Sequence, residues 1–141
     1  MRGKDPAFLA HVFNNIDCSV VISDPLQDDN PLVYVNSHFV EMTGYTKEEC
    51  FGHNCRFLQG PDTSPAAVEK IREAINTVSF LRIEILNYHK NGTPFWNELN
   101  LLPVKDSLGN ALNFVGMQYP ADDKRRYKKE ILSEVMRIMD L

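Results

Sequence analysis

Three cysteines among 141 residues are too few, and odd in number, for a disulfide-built secreted scaffold. Cys18, Cys50 and Cys55 read instead as free thiols in a reducing compartment, and a soluble, cytoplasmic chain is expected. No stretch approaches the ~18–20 apolar residues of a membrane-spanning helix, so no membrane partner is expected. Positive charge is scarce: 15 Lys and Arg face 19 Asp and Glu, a net charge of −4. That sign disfavours a broad grip on nucleic acid or acidic lipid, so any basic site must be local. Internal repeats and low-complexity segments are missing, as are a Gly-x-Ser-x-Gly elbow, a phosphate-binding P-loop and a dinucleotide-binding fingerprint. Hydrolase and kinase chemistry therefore have no foothold. Cys50, His53 and Cys55 lack a regular zinc spacing and a clear fourth ligand, so no metal is expected. His11, His38 and His89 read as surface or helix-end residues.

What is present suits one ordinary globular domain: 43% hydrophobic residues, 24% charged, 7 Gly and 8 Pro. Asp5-Pro6 opens a helical pattern of Phe8, Leu9, Val12, Phe13 and Ile16, giving an N-terminal flanking helix over residues 1–17. Ser19 to Ser23 and Leu32 to Asn36 read as a hairpin with a long tip of turn formers. Short helices follow from Ser37 to Gln59, with Gly44 as a stop and Thr46-Lys-Glu-Glu49 as a capping box. Ser64-Pro65 starts a longer helix with Val68, Ile71 and Ile75 on one face. Leu81 to His89, Thr93 to Val104 and Ala111 to Tyr119 are three further strands. The expected class is α+β: a five-stranded antiparallel sheet over residues 18–120, helices covering one face. Residues 121–141 form an amphipathic C-terminal helix with Ile131, Val135 and Ile138 on its stripe. That run suits either a short coiled coil or a plain docked helix.

The central hairpin decides which side chains share a face. A three-residue Lys90-Asn91-Gly92 loop pairs residues 89 and 93 and aligns the odd positions of both strands. One face then reads Leu81, Ile83, Ile85, Asn87 and Phe95, Asn97, Leu99, Leu101. The other, with Arg82, Glu84, Tyr88, Trp96, Glu98 and Asn100, is expected to be the more solvated. Asn87 and Asn97 thus lie on an apolar face, where an unpartnered amide costs about 1–3 kcal/mol. They either bond to each other and to loop backbone or meet a ligand. Gln118 adds a third amide just after Phe114 and Gly116, an aromatic wall and a place of close backbone approach. Each amide offers a donor beside an acceptor, the pattern that reads a flat heterocycle edge.

The second cluster is Gly52-His-Asn-Cys-Arg-Phe-Leu-Gln-Gly60. On an α-helical turn Cys55 and Gln59 share a face, as do Asn54 and Leu58, while Arg56 points elsewhere. Arg56 and Arg72 at a pocket mouth would fork a phosphate, or else be solvated or salt-bridged.

This nine-residue run resembles the signature of LOV domains, the flavin-binding blue-light sensors within the PAS family. Asn30-Pro31, Asn36 to Gly44-Tyr45, Leu86-Asn87-Tyr88, Phe95-Trp96-Asn97 and Phe114-Val115-Gly116-Met117-Gln118 extend the resemblance from about Val20 to Gln118. It implies that Cys55 is the photoreactive thiol, adding reversibly to flavin C4a, and that Gln118 responds when N5 takes a proton. It further implies that Asn54 and Gln59 bind the ribityl chain and ring edge, Arg56 and Arg72 the phosphate, and Asn87, Asn97 and Gln118 the pyrimidine edge. Val21, Ser23, Asn30, Leu58, Val68, Ile71, Ile75, Leu99, Leu101, Phe114 and Gly116 would line the cavity. The arginine pair favours FMN, with FAD or riboflavin as alternatives. Ser23 and Leu99 stand where relatives often carry Thr and Phe, and His53 where a longer basic residue is common; such changes adjust adduct lifetime. The expected function is a photosensory module without substrate turnover, signalling through its flanking helices or a homodimer interface to an effector. Its end within a helical pattern fits a stand-alone short LOV protein or the sensor of a histidine kinase. A flavin oxidoreductase, a PAS domain for haem or another small ligand, and an interaction domain with an empty pocket are the rival readings.

Overall fold

The computed structural model describes residues 7, 11, 13, 16–121 and 133–137. Five strands, β1 (Ser19–Ser23), β2 (Leu32–Val35), β3 (Leu81–Tyr88), β4 (Pro94–Lys105) and β5 (Ala111–Pro120), form one sheet in the order β2-β1-β5-β4-β3. Every neighbouring pair is antiparallel. Helices α1 (Ser37–Thr43), α2 (Lys47–Cys50) and α3 (Pro65–Thr77) and a 3₁₀ turn at Cys55–Leu58 all lie between β2 and β3 in the chain. The α+β class and the five-stranded antiparallel sheet are as the strand spacing implies.

The local signals behave as their chemistry requires. Asn36 caps α1: its Oδ1 accepts from Phe39 N at 3.1 Å and from Val20 N at 3.0 Å, while its Nδ2 donates to Cys18 O at 2.7 Å. One amide thereby starts a helix and pins it to β1. Gly44 ends α1 at φ 84°, where any Cβ is disfavoured. Thr46 and Glu49 exchange the two bonds of a capping box, and Ser64 caps α3 with Pro65 in its first turn. In the central hairpin His89 N donates to Thr93 O at 2.9 Å and Gly92 sits at φ 89°, which makes the loop three residues long. Asn87 therefore pairs with Phe95 and Ile85 with Asn97, odd with odd.

The sheet has two occupied faces. Val20, Ile22, Leu102, Val104, Val115, Met117 and Tyr119 form an outer core with Phe13 and Val135. The expectation of a solvated even face on the central hairpin fails here. Arg82, Glu84 and Trp96 are exposed, but Glu98 and Asn100 are buried together with Leu102 and Val104. β4 is an interior strand, and Phe13 and Val135 come from outside the hairpin, so two-strand periodicity cannot register them. The flanking helices expected over 1–17 and 121–141 lie largely outside the described residues, as do Ile131 and Ile138; residues 7, 11 and 13 and residues 133–137 are helical. Among the described residues no helix is long and apolar enough to cross a membrane.

Candidate functional site

The inner face of the sheet, the 3₁₀ turn and α3 enclose a cavity of about 110 Å³. β1 supplies Val21 and Ser23; β3 and β4 supply Ile85, Asn87, Asn97, Leu99 and Leu101; β5 supplies Phe114, Gly116 and Gln118. Asn54, Cys55, Arg56, Leu58 and Gln59 close the opposite side, with Ile71 and Ile75 from α3 and Asn30 and Leu32 from the β1–β2 connection and β2. An open groove of about 500 Å³ shares Asn30, Asn54, Arg56, Gln59, Ile71 and Ile75 and adds Pro25, Gln27, Asp29, Val68 and Arg72. Together the two spaces fall within the roughly 300–1,000 Å³ of small-molecule sites. The sequence-derived lining residues are thus brought together, except that Val68 and Arg72 border the groove rather than the inner cavity.

The turn that carries the thiol is built by its own first residue. Asn54 Oδ1 accepts from Arg56 N at 2.9 Å, capping the turn, and its Nδ2 donates to Asp29 O at 2.8 Å. Because the turn is 3₁₀, with three residues per repeat, Cys55 shares its face with Leu58 rather than with Gln59. The α-helical spacing expected for this segment is corrected accordingly; Gln59 closes the turn through its N–H to Arg56 O at 2.9 Å and still reaches the cavity. Cys55 packs against a cluster of Val21, Leu32, Val35, Phe39, Cys50 and Leu58. Burial, reinforced by nearby Cys50, pushes its thiol up to about 12, and burial with Glu49 pushes Cys50 to about 11. Both thiols are therefore protonated and weakly nucleophilic near neutral pH. All three cysteines are free, and among the described residues no group of three or more His, Cys, Asp or Glu gathers as a metal site.

The three amides form a chain across three strands. Asn97 Nδ2 donates to Asn87 Oδ1 at 2.9 Å and to Gln118 Oε1 at 2.7 Å. Asn97 Oδ1 and Gln118 Nε2 are left buried without a partner, as is Asn30 Oδ1. Mutual bonding therefore accounts for only part of this cluster. Each unpaired atom costs about 1–3 kcal/mol unless something polar meets it. An acceptor on Asn97 and a donor on Gln118, side by side in one wall, suit a planar ring edge with complementary groups. Gly116 keeps that wall thin: a Cβ there would lie 2.9 Å from Val21 Cγ2 and 3.6 Å from Gln118 Nε2.

Both arginines reach the groove already engaged. Arg56 Nη2 donates to the two carboxylate oxygens of Asp29 at 2.6 and 2.5 Å, and Arg72 Nη1 donates to Glu69 Oε2 at 2.5 Å. His38 lies 3.4 Å from Asp17, and His89 stacks on Phe95. Leu32 and Ile85 in the cavity, and Pro25, Gln27 and Asp29 in the groove, are the positions that reasoning from motifs passes over. Ile85 lies on the same odd face as Asn87, so the hairpin register could have found it. Leu32 could not be placed that way, because the β1–β2 register slips between Ile22 and Ser23.

The PAS domain family matches residues 17–118 of this chain. A blue-light photoreceptor of Listeria innocua is 45% identical over 122 residues, covering 86% of this chain and 48% of its own length. A light-oxygen-voltage domain whose mechanism was studied with a flavin analogue is 36% identical with a TM-score of 0.77, covering 97% of this chain and 98% of that one. The LOV domain of a blue-light activated histidine kinase from Erythrobacter litoralis is 41% identical with a TM-score of 0.73, covering 77% of this chain and 100% of that one. This chain thus spans about half the length of the Listeria protein and the whole of the solved kinase sensor. Its sheet order, its cavity and these likenesses agree, and the chain belongs to the LOV group of PAS domains, the group of blue-light photoreceptors.

Proposed function

We propose that this chain senses blue light by holding a flavin in the cavity, with Cys55 as the reacting thiol. The observation that carries the reading is the meeting, in one cavity, of a protonated thiol and two unpartnered amide atoms. Those atoms fit the group: Asn97 Oδ1 suits a ring N–H, and Gln118 Nε2 suits a ring acceptor. A flavin held there would supply a blue-absorbing ring able, under light, to take up the Cys55 sulfur together with its thiol proton and to release both again in the dark.

The remaining roles belong to the protein. Leu58, Leu99, Leu101 and Phe114 exclude water and keep Cys55 neutral in the dark. Asn87, Asn97 and Gln118 orient the pyrimidine edge, Asn54 and Gln59 the ribityl chain, and Arg56 and Arg72 border the groove where a phosphate would leave the cavity. That placement favours FMN; the second nucleotide of FAD can run out along the groove. Val21, Ser23, Asn30, Ile71, Ile75 and Gly116 shape the walls, and Val68 the groove.

Gln118 is the switch. Its free Nε2 would donate to a ring acceptor, and its Oε1 would have to take that place if the ring atom gained the thiol proton. That rotation turns its Nε2 toward Asn97 Nδ2, donor against donor, and Asn97 cannot turn to relieve it without setting its own Nδ2 against the ring N–H, so the mismatch falls between β4 and β5. A buried mismatch of about 1–3 kcal/mol is comparable to the coupling that runs allosteric switches. On the outer side of β5, Met117 and Tyr119 pack in one cluster with Phe13 and Val135. The flanking helices or a homodimer interface between them receive the change, and a kinase or other effector carries it on. No substrate is turned over. Three free thiols suit a cytoplasmic setting.

Adding FMN to the purified apo chain tests the proposal. One equivalent should bind, and blue light should bleach its absorbance reversibly. A chain that takes up no flavin, or whose bound flavin never bleaches, would overturn it.

A further inference from the structure

We propose that Asp29 sets ligand preference in the groove: its carboxylate competes with phosphate for Arg56 and so reduces the advantage of FMN over riboflavin. The inference rests on the flavin reading above and concerns a residue to which that reading gives no role.

Asp29 is held in place rather than merely nearby. It adopts φ 65° and its neighbour Asn30 φ 48°, left-handed conformations that Asp and Asn tolerate better than other side chains. Asn54 Nδ2 holds its carbonyl at 2.8 Å, and Arg56 Nη2 holds both its carboxylate oxygens. The tip of the β1–β2 connection is thereby clasped to the turn that carries Cys55, and the clasp puts a fixed negative charge on the wall of the groove.

The pair is half-exposed, with side-chain accessibilities of 55% and 57%. Exposed ion pairs hold weakly, so a phosphate can engage Arg56. It cannot escape Asp29. A phosphate monoester carries about −1.5 to −2 charges at neutral pH. Whether Arg56 bridges the two anions or leaves Asp29 for the ligand, the carboxylate remains on the wall of the same groove. Arg72 offers no surplus either, since Glu69 is already on its guanidinium. The groove therefore presents two cations, each with its own carboxylate. Riboflavin, with no phosphate, is indifferent to this charge. For a dianion about 6 Å away in a water-like medium, removing one carboxylate charge changes affinity by about tenfold at low ionic strength. At physiological salt the change shrinks to roughly threefold.

The test titrates the apo chain with riboflavin and with FMN, following quenching of flavin fluorescence, for the native protein, Asp29→Asn, Asp29→Ser and Asp29→Glu. The ratio of the two affinities cancels any loosening of the clasp. In Asn and Ser the FMN-to-riboflavin ratio should rise about tenfold at low salt, with the gain fading as salt is added; Glu should keep the native ratio. An unchanged ratio in the neutral variants, or equal tightening of both ligands, overturns the inference, and a lower ratio would make Asp29 a residue that positions Arg56 for phosphate. Native protein that binds neither flavin overturns the flavin reading itself, a result distinct from two bound flavins at an unaltered ratio.

Discussion

Gly60 closes the nine-residue motif, and replacing it by alanine tests how that motif is fastened to the sheet. A Cβ at residue 60 would fall on the Tyr88 ring, against Cε1 and Cδ1, with Cζ at 2.9 Å. Tyr88 is not free to swing aside, because its hydroxyl accepts from Asp62 N at 3.0 Å. Beside it Thr63 Oγ1 donates to Leu86 O at 2.7 Å and accepts from Gly60 N at 3.0 Å, so two side chains lace the segment to the edge strand. Overpacking of this kind costs about 1–3 kcal/mol, and losing the tyrosine bond adds about 1. Gly60→Ala should therefore destabilise the fold by about 2–4 kcal/mol and lower Tm by roughly 7–14 °C. Tyr88→Ala removes the obstacle, so the double variant should cost about 1–2 kcal/mol less than the sum of the two single changes. Urea and thermal unfolding of the four proteins, followed by far-ultraviolet circular dichroism, measure that coupling. A Gly60→Ala protein that melts with the native one, or two strictly additive changes, would refute the packing argument.

Two further outcomes follow from the site. Gln118→Leu should still bind flavin and bleach reversibly, but a light-dependent change in dimer mass or in amide exchange of the flanking segments should weaken; an undiminished response removes Gln118 from the signal route. Cys50 and Cys55 titrate at about 11 and about 12, above the ordinary 9.0 of a thiol. Raised values mean that the folded chain holds these protons more tightly than the unfolded one. Their contribution to stability is complete below about pH 9 and is lost as pH rises through 11 and 12. Denaturant midpoints measured across that range should fall, and Cys50→Val should make the fall shallower; an identical slope would contradict burial of that thiol.

Much of this was legible in the residues because local rules governed it. Asn36, Gly44, Thr46 and Ser64 mark helix ends through bonds made within a few residues, and the Lys90-Asn91-Gly92 loop sets the register that places Asn87 opposite Phe95 and Asn97 on the same face. The turn at Cys55 was harder: α and 3₁₀ spacings differ by one residue, and no propensity separates them over four positions. The burial of Glu98 and Asn100 was out of reach, since it depends on the rest of the sheet and on what packs over it. Asp29 escaped notice for a similar reason. Its partners, Asn54 and Arg56, are 25 and 27 residues away, and only the folded tip brings the three together.

The most direct measurement compares visible absorbance of the native protein and of Cys55→Ala, each loaded with FMN, before and after a blue flash. The native protein should lose its blue band and regain it in the dark, while Cys55→Ala should stay yellow, with flavin bound and no reversible bleaching. If the alanine protein bleaches and recovers like the native one, the sulfur at position 55 is not the atom that responds to light.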